Sequence, residues 1–369
     1  MAAEVEVTRA QALAWRMSRQ QLAPVGTAAA EDVVRRLTAV PAQSDVELAI
    51  RSRQQTSRPG EVAQAVADGR ILRTFAFRGA VHLLTPEDGG TYLALRAAGR
   101  QWELPSWQEY YRLAPEDWPD FRTAVLEALD DHPLTPGELG AALAAGSRYG
   151  HLRPIFDADP WALLKALAWQ GDLAFGPPRD GRPTFRPLSR NPRWAGVPEL
   201  ADAGPRAIEA YVRAYGPTTP DHLQYWLGAG LSAGRKRIQT WLDDLSGRLA
   251  PVVVDGTASF VLAEDVGELA GTGPTDTVRL LPAYDQWVLG PGTADPDVVP
   301  PAHRSLVSRG ANIVVAGGVV VGTWSTSDDD LNLALFADVT RPASDALDEG
   351  IARLVSLLDR PLRTTVTVG

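Results

Sequence analysis

The sequence predicts an α+β chain of three tandem winged-helix modules followed by a β-rich, barrel-like C-terminal domain, and three observations predict it. First, a helical stretch runs directly into two strand-like runs joined by a polar turn three times over. These copies are Glu61 to Asp68 with Ile71 to Phe75 and Ala80 to Leu84; Asp159 to Trp169 with Asp172 to Phe175 and Pro183 to Leu188; and Ser232 to Leu245 with Pro251 to Val254 and Ala258 to Leu262. Second, one turn-and-cap phrase occurs at corresponding places, as Leu134-Thr135-Pro136-Gly137-Glu138 and Thr218-Thr219-Pro220-Asp221. In both, threonine stands before a proline at the first helical position, with an acid in the first turn. Third, the texture beyond Ala263 turns to short β-branched runs. Modules of this size normally place a helix in a DNA groove with a hairpin beside it, so a tandem array points to nucleic acid.

Taken in order, residues 7 to 22 read as a helix with Thr8 as N-cap and Leu13 and Met17 on its apolar face. Glu31 to Val40 repeats the period, with Val33, Val34 and Leu37 inward and Arg35 and Arg36 outward, until Pro41 breaks it. Asp45 to Arg53 is a third short helix, and the first module closes near Leu84. Thr85 to Asp88 caps a helix through Arg96, and the aromatics Trp102, Trp107, Tyr110, Tyr111 and Trp118 read as packing rather than base stacking. Ser189 to Gly204 reads as a linker. Strand-like runs follow at Thr277 to Leu281, Ile313 to Ala316, Val319 to Trp324 and Leu331 to Ala337, with Gly317-Gly318 as a hairpin turn. Ser344 to Leu358 is helical and Thr364 to Val368 is a last strand, giving a small barrel or a mixed sheet. The expected division is 1–114, 115–200, 201–265 and 266–369.

Composition narrows the chemistry. The 369 residues contain no cysteine, which excludes disulfides, thiolate-bound zinc, iron–sulfur clusters and thiol nucleophiles. There is no 18-residue apolar run, and the start, with Glu6 and Arg9, lacks the pattern of a signal peptide, so a cytoplasmic, nucleoid-associated address is expected. The 36 basic and 45 acidic residues give a net charge of −9, which argues against non-specific coating of DNA. Lysine occurs only at Lys165 and Lys236, so positive charge is nearly all arginine, whose planar fork suits phosphates and base edges. The histidines at 82, 132, 151, 222 and 303 form no close-spaced metal pair, and Asp328-Asp329-Asp330 reads as a solvated loop.

The stretches Val33-Val34-Arg35-Arg36-Leu37-Thr38-Ala39-Val40-Pro41-Ala42-Gln43, Leu48 to Arg53, Leu72 to Leu83, Leu280 to Asp285 and Val320 to Trp324 resemble the AlkZ/YcaQ family of bacterial DNA glycosylases over essentially the whole length. That resemblance implies three winged helices and a C-terminal β-domain forming a C-shaped surface that embraces DNA. It further implies a monofunctional glycosylase that removes bulky N-alkylated purines and unhooks interstrand crosslinks, in repair or in self-resistance to a DNA-alkylating antibiotic. The partner would be double-stranded DNA carrying alkylated purines, met by a monomer without a cofactor or metal. The family's catalytic motif, Gln-x-Gln or Gln-x-Asp, falls on Pro41, Ala42 and Gln43, so the first glutamine is replaced by Pro41.

Cleaving the glycosidic bond of an alkylated purine passes through an oxocarbenium-like sugar, so the enzyme has to place a water beneath C1′ and stabilise the cation. A carboxamide carbonyl suits both tasks, and Gln43 retains it. Three readings stay open: a slower glycosylase, one whose second polar group comes from elsewhere, with Asp45 and Gln54 as candidates, and a non-catalytic winged-helix regulator or lesion binder. Candidate DNA contacts are Arg35, Arg36, Arg51, Arg53, Arg78, His82, the tip residues Arg179 and Arg182, and the run Arg235-Lys236-Arg237. Of Arg51 and Arg53, at most one faces a phosphate if the helix is regular. An unbroken strand would align Arg78, Ala80 and His82 on one face. Asp285 is a further site candidate, and Trp324 is read as structural.

Overall fold

The computed structural model describes residues 5–146, 148–230 and 232–369 and has a mixed α and β architecture. The chain condenses into two compact units that interleave along the sequence. One holds Met1–Gln64, Ile208–Trp226 and Gln239–Gly369, and the other holds Ala65–Ala207 and Leu227–Ile238.

In the second unit, Leu72–Phe75 pairs antiparallel with Val81–Leu84, and Leu173–Phe175 with Phe185–Pro187. The Thr74 hydroxyl donates to Leu173 O at 2.8 Å, so the two hairpins are tied to each other. Beneath them lies a core that includes Trp102, Trp118, Phe121, Leu139, Leu164, Leu167 and Trp169. The Trp102 and Trp118 rings are 5.9 Å apart, and Trp107 and Tyr111 are 4.8 Å apart, so these aromatics pack on one another. Thr135 caps Pro136–Ala145 in a full capping box with Glu138.

In the first unit the Leu249–Val254 and Thr257–Leu262 hairpin gains a third strand from the opposite end of the chain, because Val5–Val7 pairs with Leu249–Val254 in parallel. The Arg9–Arg19 helix follows that strand, capped by Thr8 with Gln11, and buries Ala12 and Trp15 against Val252 and Val261. Thr219 likewise caps Pro220–Leu223 through the His222 amide.

The C-terminal strands make an open five-stranded sheet in the order Arg363–Val368, Asp330–Leu335, Val319–Ser327, Asn312–Ala316, Val278–Leu281. Only the pair Asp330–Leu335 with Arg363–Val368 is parallel, bridged by the Ser344–Leu358 crossover helix. The barrel-like expectation is therefore corrected to an open mixed sheet. Closure is unnecessary because alternate residues bury both faces: Leu280, Val314 and Val321 lie against Leu347 and Leu354, while Leu281, Ile313, Val315 and Val320 lie against Leu13, Met17 and Trp287. Gly317 and Gly318 make the hairpin turn with φ of +55° and +91°. A side chain at Gly318 would also start 2.6 Å from Leu13 Cβ, so the turn admits nothing larger.

One helix is shorter than its period suggests. Ala30–Arg36 ends four residues before the expected Val40, Thr38 turns the chain at φ +66°, and Val40–Pro41 is extended. The ring of Pro41 disfavours a helical Val40 and supplies no amide hydrogen. Among the described residues no helix is long and apolar enough to cross a membrane.

Candidate active site

The segment from Leu37 to Arg53 belongs to the first unit and is held at both ends by residues far away in sequence. The Tyr215 hydroxyl donates to Leu37 O at 2.6 Å, and the Gln286 side-chain amide donates to Ala39 O at 2.6 Å. Both donors are buried, so the backbone at Leu37 and Ala39 is anchored just before the motif. The chain then turns, with the Ser44 amide donating to Pro41 O at 3.1 Å, and Asp45 caps Val46–Arg51 by accepting the Leu48 amide at 3.0 Å. At the far end, Arg353 Nη2 donates to Ser52 O at 3.2 Å and Gln54 O at 2.8 Å.

The turn presents Gln43 to solvent, and its carboxamide makes no hydrogen bond to any described residue. Pro41 is buried and offers neither donor nor acceptor in its side chain. Asp45 is exposed, and with Oδ1 taken by the cap its Oδ2 has no described partner. Gln54 is 2% exposed and donates to Ala28 O, which removes it as a solvent-facing second polar group.

Two predicted phosphate contacts are corrected. Arg53 is wholly buried, bidentate to Asp285 at 2.9 and 2.7 Å and bonded to Ala49 O at 2.6 Å. Asp285, also wholly buried, further accepts the Trp287 amide at 2.7 Å. This pair is a buried clasp, out of reach of a phosphate or a sugar. Arg51 is 9% exposed and donates through Nε to Ser57 Oγ, so neither member of the Arg51/Arg53 pair lies open. The Trp324 indole donates to Leu281 O at 2.9 Å inside the sheet.

Arg35 and Arg36 stand exposed in the last turn of their helix, Arg35 paired with Asp32 and Arg36 donating to Arg19 O at 3.2 Å. Burial and the nearby Arg19 lower the Arg36 pKa. Arg78 and His82 do not share a face. Arg78 is exposed in a short turn at φ +53°, which interrupts the alternation, whereas His82 is 2% exposed, 3.0 Å from Ala80 O and edge-on to Phe77. Arg179 and Arg182 pair through their backbones at the hairpin tip, and Arg179 also pairs with Glu138. With Arg153 and Thr135 they line a concavity of about 330 Å³. Arg235, Lys236 and Arg237 are exposed in the first turn of Gly234–Asp244.

Burial holds the His82 imidazole down at about 4, against the pull of the Ala80 carbonyl and with Arg78 adding to the lowering. The unfolded chain then binds more protons than the folded one as pH falls from about 6.5 towards 4, so stability is full above that window and lost within it. Denaturant unfolding at pH 7 and pH 5 is expected to give wild type a loss about 2 kcal/mol larger than that of His82→Asn. Equal losses in the two proteins would remove His82 as the cause.

Sequence reasoning missed Tyr215, Gln286 and Arg353. Only Gln286 has a signal beside it, the neighbouring Asp285 of a family phrase; Tyr215 and Arg353 have none, because each acts on backbone contributed by a distant segment.

A family model described as DNA glycosylase AlkZ-like matches residues 34–357. Over 352 residues the chain is 38% identical to a Streptomyces sahachiroi protein described as an interstrand DNA cross-link repair glycosylase, spanning 93% of this chain and 95% of the relative. The solved structure of Streptomyces sahachiroi DNA glycosylase AlkZ matches with a TM-score of 0.92 at 35% identity, covering 98% of this chain and 100% of that one.

Proposed function

The chain belongs to the AlkZ-like DNA glycosylase family, and from that premise we propose that it hydrolyses the N-glycosyl bond of bulky N-alkylated purines in duplex DNA, interstrand crosslinks included, with water held by Gln43. The single observation that supports this role is an exposed carboxamide, without a hydrogen bond to any described residue, on a turn whose backbone is anchored from below. An unengaged carbonyl can accept from a water while its dipole faces the positive charge developing at C1′. Anchoring lowers the cost of holding that geometry.

Alkylation at N3 or N7 makes the purine a cationic leaving group, so little acid catalysis is asked of the protein. The bond from C1′ to the base nitrogen breaks with its electron pair leaving on the base. Water then adds to C1′ and gives up a proton, leaving free base and an abasic site. Gln43 is too weak a base to take that proton fully, and the unengaged oxygen of Asp45 is the nearest carboxylate in the sequence to assist it. We read the three helix–hairpin units as winged helices that carry the duplex, with Arg179, Arg182 and the Arg235 to Arg237 run on its phosphates.

Incubating the protein with an N7-alkylated oligonucleotide duplex tests the reading. The expected result is free alkylated purine and strand scission only after alkali. Pro41, buried and without polar side-chain atoms, favours a second reading, a lesion binder without catalysis. Tight binding of the adducted duplex with no base released would select it.

A further inference from the structure

One face of the second compact unit gathers cations and aromatic rings that the glycosidic chemistry does not use. Arg73 and Phe75 share a side of strand Leu72–Phe75, and Trp161 and Lys165 lie one turn apart on helix Trp161–Trp169. The Arg73 guanidinium is 5.3 Å from the centre of the Phe175 ring, and Lys165 Nζ is 5.6 Å from that of Phe75. Those two rings are 5.1 Å apart, and Trp161 meets Phe75 at 6.5 Å and 66°. Phe75 and Phe175 are buried, whereas Trp161 remains 39% exposed.

Carboxylates answer many of the unit's other arginines. Arg122, Arg148, Arg153, Arg190 and Arg193 each pair with a carboxylate. Arg73 and Lys165 make no ion pair or hydrogen bond among the described residues, in a chain with 45 acids to 36 bases. Their charged groups stand over ring faces without a carboxylate among the described residues, which leaves them to an anion from outside. An acidic protein partner would use the charges but has no need of an open indole. A nucleic-acid strand uses both, since phosphates take the cations and every base has a face to stack.

We propose that Arg73, Lys165 and Trp161 form a single-strand DNA contact, the two cations each taking a backbone phosphate and Trp161 stacking on an unpaired base. The inference rests on the reading of the chain as a DNA glycosylase for the choice of DNA. It adds a means of holding bases that have lost their partners.

The test uses the full-length protein, labelled oligothymidylate and fluorescence anisotropy over a range of salt. Trp161→Ala is expected to weaken binding about tenfold and Trp161→Phe far less, because phenylalanine keeps a stacking face. The Arg73→Ser/Lys165→Ser variant is expected to weaken binding and to lower the slope of log K against log salt by about 1.4, two phosphates at about 0.7 each. Unchanged affinity and slope in these variants overturn the proposal, as does tighter binding of oligouridylate than of oligothymidylate by the wild type. Thermal melts of each variant separate loss of contact from loss of fold: a lowered affinity that follows only from unfolding overturns it too. Base release from adducted duplex is measured in parallel. If it is absent while oligothymidylate binding falls as expected, the glycosylase reading fails and the strand contact stands.

Discussion

Replacing Gln43 with alanine is expected to slow release of alkylated base about a hundredfold under single-turnover conditions, the usual cost of removing one positioning dipole from a reacting centre. Affinity for the same duplex should be nearly unchanged, since the carboxamide works on water and on charge that appears only in the transition state. The side chain makes no hydrogen bond to any described residue, so its removal leaves no orphaned partner and the fold should be unaffected. A rate equal to that of wild type would end the assignment of Gln43 even with the glycosylase activity intact. Asp45→Asn is the companion variant, because it preserves the oxygen that caps Val46–Arg51 and removes only the charge. A loss there as large as at Gln43 would mean that the carboxylate shares the chemistry.

Asp285→Ala is expected to cost about 3 to 5 kcal/mol of folding stability, the range for breaking a buried ion pair from one side. The reason lies in what is left behind. Arg53 would keep its charge at 0% exposure with Ala49 O as its remaining acceptor, and the Trp287 amide would lose its cap. The double variant Arg53→Met/Asp285→Leu buries no charge and should recover most of the loss. Denaturant midpoints at constant m-value measure both effects. A loss below about 1 kcal/mol for Asp285→Ala would mean that another group or water compensates Arg53. The clasp ties the chain just past the Val46–Arg51 helix to the N-cap of the Gln286–Leu289 helix, so the double variant also asks whether the turn stays aligned when the charges are gone.

The contrast between these two sites shows where the sequence was legible. Gln43, the proposed water-holding residue, was singled out from a motif of consecutive residues, and the departure at Pro41 was visible beside it. Arg53 looked like any other arginine near a helix end, and Asp285 like a polar residue in a family phrase. Their pairing across 232 positions changes the meaning of both, and no periodicity announces it. The expected barrel failed for a related reason: strand-rich patterning does not say whether a sheet hides its faces by closing on itself or, as here, under Leu347 and Leu354 on one side and Leu13, Met17 and Trp287 on the other.

Caps, turns and alternation are decided by a handful of neighbouring residues. Thr8, Thr135 and Thr219, the Gly317-Gly318 turn and the three hairpins could therefore be recognised along the chain before any coordinates. Solvent access and partnership are different quantities, set by whatever distant segment comes to lie alongside. Folding alone buried Arg53 and His82, exposed Gln43, recruited Val5–Val7 to a strand near residue 250 and left Arg73 and Lys165 without a carboxylate among the described residues. Desolvation makes that distinction chemical, because a cation surrounded by protein is committed to its internal partner while the same side chain in water remains available to a phosphate.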